Sequence, residues 1–273
     1  MDPQQRRLAL RRCVLSVAVL DAVDVEPGDD GVVLPGVPPV AVPWADLEAC
    51  LVGLDPDAPG ARHRIRGFLR LRRAVAERGW GAAGWLRSTA RPVALPAGHV
   101  DHLGPAWIRE RLLGGALDLG VGVLDPDGGP GAVLSLPPTV AAVAGADPPA
   151  WWPRLRAHAE RMGRLASARL HRDGATVLRP VGGCDVLTLL ASASLRSYLA
   201  HADGSGMRSV AVPIRSRGWF DLRRVDPAFV AAAWTATPEA DRGVPRALLV
   251  TADEVALARD GGDRLLQALD DDG

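Results

Sequence analysis

The chain has 273 residues, of which 48% are hydrophobic, and a formal net charge of zero. These values exclude a disordered chain and a strongly basic protein that nucleic acid would attract. Three widely spaced cysteines, Cys13, Cys50 and Cys184, do not form a disulfide framework, so we expect a reducing, cytoplasmic location. We expect no membrane span, because no apolar run reaches the roughly 20 residues that cross a bilayer.

The first predicted elements are extended. The residues of segment 13–25 alternate in hydrophobicity and include many valines, a pattern that predicts a strand. A pair of arginines before an apolar run, like Arg11 and Arg12 here, also occurs in export signals. The apolar run, however, ends at Asp21 after eight residues, and this short length favours the strand. A second extended piece is predicted at 32–42, where prolines indicate an edge position.

The next predicted elements are helical. Asp46 begins a short helix that ends near Gly53. The strongest pattern lies at 61–78, where apolar residues recur at helical spacing and arginines occupy the opposite face. Residues 58–91 carry nine arginines against one glutamate. Because acidic segments flank this region and aromatic residues are few, internal ion pairing is favoured over nucleic-acid binding.

The middle of the chain predicts a hairpin. Residues 91–95 predict a strand, and Pro105 predicts the start of a helix that runs to Gly114-Gly115. Strands are predicted at 116–124 and 132–136. The turn between them, at 125–131, is the candidate boundary between two lobes, and it is also short enough to be a hairpin loop.

The C-terminal half mixes both kinds of element. Helices are predicted at 148–172, at 185–201 and from Asp226-Pro227 onward, and strands at 175–181, 207–213, 217–222 and 246–258. The whole pattern indicates an α+β fold with mixed sheets and packed amphipathic helices, in one two-lobed domain over residues 1–260. Residues 261–273 form an acidic tail that we expect to be frayed.

The first candidate site residues are His99 and His102, three residues apart before Pro105. With Asp101 between them and Asp118 beyond the next predicted helix, they could bind a divalent metal, but their spacing matches no known metalloenzyme motif. Hydrogen bonding within a loop is therefore favoured, and we predict no metal site. In a catalytic site, His99 or His102 would be the general base.

The second candidate is the segment Arg179–Asp185, where a predicted strand passes into a predicted helix. Gly182 and Gly183 would let the backbone approach a ligand, and the free N–H groups of the helix would bind an anion. Cys184 would then have a lowered pKa and act as a nucleophile. The favoured alternative is a tight structural turn with an inert cysteine, because Asp185 can itself cap the helix.

The third candidate consists of Arg215, Arg217 and Trp219, which alternate along a predicted strand and therefore share one face. Such a row can bind a phosphate or stack on a ring, although it is also typical of a solvent-facing sheet. These three residues and Arg179 are the predicted ligand contacts.

Two functional hypotheses follow. In the first, the Gly182-Gly183 turn, Cys184 and the arginines form a small-molecule or anion-binding site between the lobes, facing the histidine pair. No reaction or cofactor is indicated, and whether the protein is an enzyme is left open. The alternative is a non-catalytic protein-interaction or regulatory protein, whose acidic tail contacts a protein partner.

Overall fold

The computed structural model describes residues 2–112, 115–129, 131–202, 204–220 and 225–257. Helices pack on three antiparallel sheets, which confirms the predicted α+β class. No helix within the described ranges is long and apolar enough to cross a membrane. The acidic tail at 261–273 lies outside the described residues.

Helices and strands alternate along most of the chain. The helices are α1 (Pro3–Leu20), α2 (Trp44–Cys50), α3 (Pro59–Arg78), α4 (Ala82–Thr89), α5 (Pro138–Val143), α6 (Trp152–Asp173), α7 (Val186–Leu189), α8 (Ala193–His201) and α9 (Pro227–Ala236). The strands are β1 (Glu26–Pro27), β2 (Gly31–Leu34), β3 (Val40–Pro43), β4 (Ala90–Leu95), β5 (Ile108–Leu112), β6 (Leu117–Leu124), β7 (Val133–Ser135), β8 (Val177–Leu178), β9 (Met207–Ile214), β10 (Arg217–Trp219), β11 (Leu248–Thr251) and β12 (Val255–Leu257).

The strands form a small N-terminal sheet and two larger ones. The small sheet has the order β1-β2-β3. In the next sheet, β6 pairs with β4 along one edge and with β5 and β7 in succession along the other. The third sheet has the order β12-β11-β9-β10-β8. The segment 125–131 thus connects two paired strands, β6 and β7, and its role as a lobe boundary stays a prediction.

The strand predicted at 13–25 is wrong, because residues up to Leu20 belong to helix α1. Leu10, Val14 and Val17 recur at helical spacing and are fully buried in the first core. Valine has only a small intrinsic preference against helix, so burial of this stripe decides the conformation. The position of Pro3 in the first turn, where a missing N–H costs nothing, is the signal that was overlooked.

The helix predicted from Pro105 to Gly114-Gly115 is also wrong. Residues 108–112 form β5, whose partner is β6. The turn before it places the Trp107 indole over Gly120, where a β-carbon would lie 2.2 Å from the ring. Pairing with a distant strand therefore overrides the local helix preference.

The arginines of α3 are paired within the chain, as predicted. Arg62 and Arg66 lie 3.4 and 3.0 Å from the Asp21 carboxylate, and Arg70 lies 3.4 Å from Asp125. These pairs attach α3 to the end of α1 and to the β6–β7 loop. The positive face of the helix is thus largely neutralised by neighbouring acids.

Two large buried clusters share β6. The first joins α1, α2, α3 and the small sheet, and it includes Val121 and Val123. The second joins α6, α7 and α8 to β9 and β11, and it includes Leu117 and Leu119. Since β6 contributes to both clusters, its sheet connects the N-terminal and C-terminal parts of the chain.

Candidate functional site

An open cleft of about 740 Å³ lies where the N-terminal and C-terminal parts of the chain meet. The N-terminal part contributes His63, Asp101 and residues between 125 and 134, and the C-terminal part contributes 180–185, Thr188, Arg215–Ser216 and 240–241. Its volume lies within the range typical of small-molecule sites. Gly182, Gly183, Cys184 and Arg215 of the predicted site all lie on this cleft.

The Gly182-Gly183 turn is a two-residue hairpin. The Val181 N–H donates to the Cys184 carbonyl, and the Cys184 N–H donates back to Val181, both at 3.0 Å. Gly182 and Gly183 have φ values of +58° and +79°, as a type I′ turn requires. A β-carbon on Gly182 would also lie 2.2 Å from the Met162 sulfur. Backbone geometry and close packing on α6 therefore account for both glycines.

The Cys184 thiol does not fit the predicted nucleophile. Its residue is fully buried, and burial, with the nearby Asp185 carboxylate, raises the thiol pKa to about 12. The lowered pKa expected for a ligand-binding turn is therefore wrong, and the buried thiol agrees with the favoured alternative, a tight structural turn with an inert cysteine. The helix that was expected to activate the thiol is α7, which has only four residues, and the Asp185 side chain accepts from its Thr188 N–H at 2.8 Å.

Arg215 lies in the turn between β9 and β10 rather than on the strand with Arg217 and Trp219. Its Nε donates to Asp185 Oδ2 at 2.6 Å, and its Nη1 lies 3.5 Å from Asp101 Oδ2. Burial lowers the pKa of this guanidinium, but the carboxylates of Asp185, Asp101 and Asp241 together raise it by more. Arg215 is therefore held by two acids of its own chain.

His63 continues this network along α3. Its Nε2 lies 3.1 Å from Asp101 Oδ1, and its Nδ1 accepts from Arg66 Nη2 at 3.2 Å. Because Nδ1 is an acceptor here, Nε2 carries the proton and donates it to the carboxylate. Burial alone would raise the pKa of Asp101, but the hydrogen bond that His63 donates and the positive charge of Arg215 lower it to about 2.

His99 and His102 do not line the cleft. His99 is buried, and its Nδ1 accepts from the Asp101 N–H at 3.0 Å. Burial, and then the charge of Arg215, lower its pKa to about 4. His102 accepts from the Gly104 N–H at 3.1 Å and lies 2.9 Å from Asp118. Both rings form hydrogen bonds within the loop, which was the interpretation that the sequence favoured. Neither ring lies in the cleft, where a general base would have to be.

One buried arginine holds the histidine loop in place. Arg64 on α3 donates to the carbonyls of Val100, His102 and Val52 at 2.5, 3.0 and 2.8 Å. Burial lowers the pKa of its guanidinium. The position of Asp101 in the cleft therefore depends on a side chain beneath the loop.

The remaining predicted ligand contacts lie elsewhere. Arg179 is exposed in a separate depression beside Arg169 and Arg172. Arg217 is exposed and lies over the Trp219 ring at 5.8 Å, while Trp219 itself is buried and packs edge-on against Phe229. None of Arg179, Arg217 and Trp219 lines the cleft.

Three acidic or basic cleft residues were not among the sequence candidates: His63, Asp125 and Asp241. His63 lies among the arginines of a helix that was interpreted as an ion-paired surface. Asp125 lies in the loop at 125–131, and Asp101, expected only beside a histidine pair, lies on the cleft without that pair. Asp241 had no pattern around it, so only its position in the folded chain identifies it.

The described residues contain no group of three or more His, Cys, Asp or Glu side chains that could hold a metal ion. The chain matches no known family model, no curated protein and no solved structure.

Substituting Gly182 by alanine is expected to lower the free energy of unfolding by about 2–3 kcal/mol, from left-handed backbone strain together with overpacking on Met162. Gly174 has nearly the same φ, +57°, and no atom lies within 4 Å of the place that a β-carbon there would occupy. Gly174→Ala therefore isolates the strain and should cost about 1 kcal/mol. Urea unfolding followed by tryptophan fluorescence measures both, and equal losses would refute the packing role.

Proposed function

We propose that this protein binds a small polar molecule in the cleft between its N-terminal and C-terminal lobes. The observation that carries the proposal is the ionic network of His63, Asp101, Arg215 and Asp185 along an open cleft of about 740 Å³. Both parts of the chain contribute charged residues to it. A ligand there would contact both lobes at once.

The energetics of the network support a binding role. Arg215, Asp101 and Asp185 have side chains only 15, 17 and 16% exposed. Removing such charges from water is costly, and a well-packed apolar cluster is often equally stable or more stable. Ionisable groups kept at that cost in a concave site are typical of functional sites.

The charges of the lining favour a ligand with hydrogen-bond donors. Among the described residues, four aspartates line the cleft, against Arg215 as its one arginine. The Asp241 side chain is exposed, and its charge acts on Arg215 from a distance, but no hydrogen bond or ion pair within 4 Å holds it in the described part of the chain. Its carboxylate is therefore available to an amino or hydroxyl group of the ligand.

The same geometry supports binding rather than covalent catalysis. The thiol of Cys184 is buried with a raised pKa. The acceptor nitrogen of His63 is already occupied by Arg66, so the ring has no free lone pair for a substrate proton. The Arg215 guanidinium is bonded to Asp185, so an anionic group would need cations outside the network.

A blocking substitution tests the proposal. Ser216 is exposed in the β9–β10 turn and lines the cleft, so Ser216→Trp should fill part of the space without disturbing a core. The matched control is Thr235→Trp, on the exposed surface of α9. A metabolite library is screened by thermal shift against the three proteins.

The expected result is at least one polar compound that stabilises the wild type and Thr235→Trp, and that binds Ser216→Trp at least about tenfold more weakly. Compounds that stabilise all three proteins equally would contradict a cleft site. No stabilising compound at all would favour the non-catalytic protein-interaction hypothesis.

A further inference from the structure

We propose that the ligand of the cleft carries a phosphate group, and that this group binds at a cluster of basic side chains beside the Gly182-Gly183 turn. The cluster, which we call the rim cluster, consists of Arg91, Arg154, His158 and Arg161. This inference rests on the proposed function, because it assigns a chemical class to the molecule that the cleft takes.

The rim cluster contacts the glycine turn that lines the cleft, although none of its four side chains lines the cleft itself. Arg154, His158 and Arg161 lie at successive turns of one face of α6. His158 Nε2 donates to the Gly182 carbonyl at 3.1 Å. Arg91, on β4, lies so close to Gly183 that a β-carbon there would be 3.5 Å from its Nε. Both glycines line the cleft, so the cluster lies at its edge.

The positive charge of the rim cluster is not neutralised by the described part of the chain. On the same helix, Arg156 pairs with Glu110 at 3.3 Å and Arg164 pairs with Glu160 at 3.7 Å. By contrast, Arg91, Arg154 and Arg161 have no carboxylate within 4 Å among the described residues. On α3, by contrast, Arg62, Arg66 and Arg70 each lie within 4 Å of a carboxylate, so the rim cluster keeps positive charge that an external anion can use.

The hydrogen-bonding state of the cluster points the same way. The buried Nε of Arg91 has no hydrogen-bond partner among the described residues. Its Nη1 donates to the Ala90 and Ser88 carbonyls at 2.8 and 3.4 Å, and Arg154 Nη2 donates to the Arg87 carbonyl, so the partners of these two side chains are uncharged. Arg161 donates to His158 Nδ1 at 3.1 Å, so His158 accepts at Nδ1 and donates at Nε2, as a neutral ring does. Burial lowers the pKa of His158, and the charges of three nearby arginines lower it further. The hydrogen bond to the Gly182 carbonyl acts in the opposite direction, but the net change is a lowered pKa. The cluster therefore presents three fixed positive charges.

Three guanidinium groups suit a phosphate dianion better than a single carboxylate. Arginine binds phosphate oxygens through paired N–H groups. The cleft beyond the turn presents carboxylates instead, including that of Asp241. A ligand with a phosphate at one end and hydrogen-bond donors at the other matches this division of charge.

Calorimetric titration tests the rim cluster with two probes, inorganic phosphate and glycerol phosphate, at constant ionic strength. Arg154→Gln and Arg161→Gln each remove one exposed charge from the cluster. The matched control is Arg169→Gln, also exposed on α6 but beside the separate depression. Ser216→Trp is titrated with the same probes.

We expect each cluster variant to weaken the binding of both probes about tenfold, with Arg169→Gln unchanged. Ser216→Trp should weaken glycerol phosphate more than inorganic phosphate, because only the ester extends into the cleft. Absence of phosphate binding to the wild type, or equal losses in Arg161→Gln and Arg169→Gln, would overturn the inference.

The outcomes also separate this inference from the proposed function. A library compound that is blocked by Ser216→Trp but insensitive to Arg154→Gln and Arg161→Gln would leave the cleft site standing and refute the rim cluster. Phosphate binding that needs the cluster, with no ligand sensitive to Ser216→Trp, would refute the cleft as the ligand site.

Discussion

Replacing Arg64 by methionine is expected to lower the free energy of unfolding by about 4 kcal/mol, because buried carbonyls lose a charged donor. Methionine keeps most of the side-chain volume, so packing changes little. The Arg64 guanidinium lies within 3.5 Å of five carbonyl oxygens, those of Cys50, Val52, His99, Val100 and His102. No other side chain in the described part of the protein is placed to bond them together.

The control for this prediction is Arg73→Met on the same helix. Arg73 makes one exposed bond, to the Asp24 carbonyl at 3.3 Å, and its loss should cost about 0.5 kcal/mol or less. Urea unfolding measures both variants. A loss at Arg64 no larger than that at Arg73 would mean that the loop carrying Asp101 is held by its own backbone.

The second large effect concerns pH. The pKa of His99 is lowered from 6.5 to about 4, because burial disfavours the imidazolium ion and Arg215 repels it. The folded state therefore binds fewer protons than the unfolded state between pH 4 and 6.5. The free energy of unfolding should therefore be highest above pH 6.5. It should fall by about 3 kcal/mol as the pH drops to 4, because the unfolded state binds the proton more readily.

His99→Asn isolates this effect. The asparagine oxygen can accept from the Asp101 N–H as Nδ1 does, and it takes up no proton. Unfolding free energies at pH 7 and 4.5 should differ by about 2 kcal/mol less in His99→Asn than in the wild type. His171→Asn, on the exposed last turn of α6, is the control. Equal pH dependence in all three proteins would show that His99 is not desolvated.

Asp101 titrates in a lower window. Its pKa is about 2 in the folded protein, against a usual value of 3.8. The stability it contributes is present above pH 3.8 and is lost only as the pH falls toward 2. Measurements at pH 4.5 and above therefore report His99 with little contribution from Asp101.

The elements with strong local patterns were predictable. Helix α3, the β6–β7 hairpin and the capped start of α9 carry their signals within a few residues. Asp226 does cap α9, with its carboxylate accepting from Ala228 and Phe229. The two elements predicted as the wrong type, α1 and β5, lie where a weak local pattern competed with a long-range partner. Helices α4 and α5 were not predicted, and the helix predicted at 185–201 is divided into α7 and α8.

The candidate site was predictable only in part. The glycine turn and Arg215 were singled out by residue type, and they do lie on the cleft. Their chemistry differs from the expected chemistry. Burial raises the pKa of the Cys184 thiol, and Arg215 is ion-paired with two carboxylates of its own chain. Local sequence does not encode how deeply a group is buried or which distant charge lies beside it.

The sequence by itself determined the α+β class, helices α3 and α6, the β6–β7 hairpin, and the need for internal pairing of the α3 arginines. These follow from periodicity, turn residues and charge counts, which act between near neighbours. Only the tertiary structure decided which arginines are paired with carboxylates and which form the rim cluster. Ion pairing and desolvation depend on distances of a few ångströms between residues as far apart in the chain as Asp101 and Arg215.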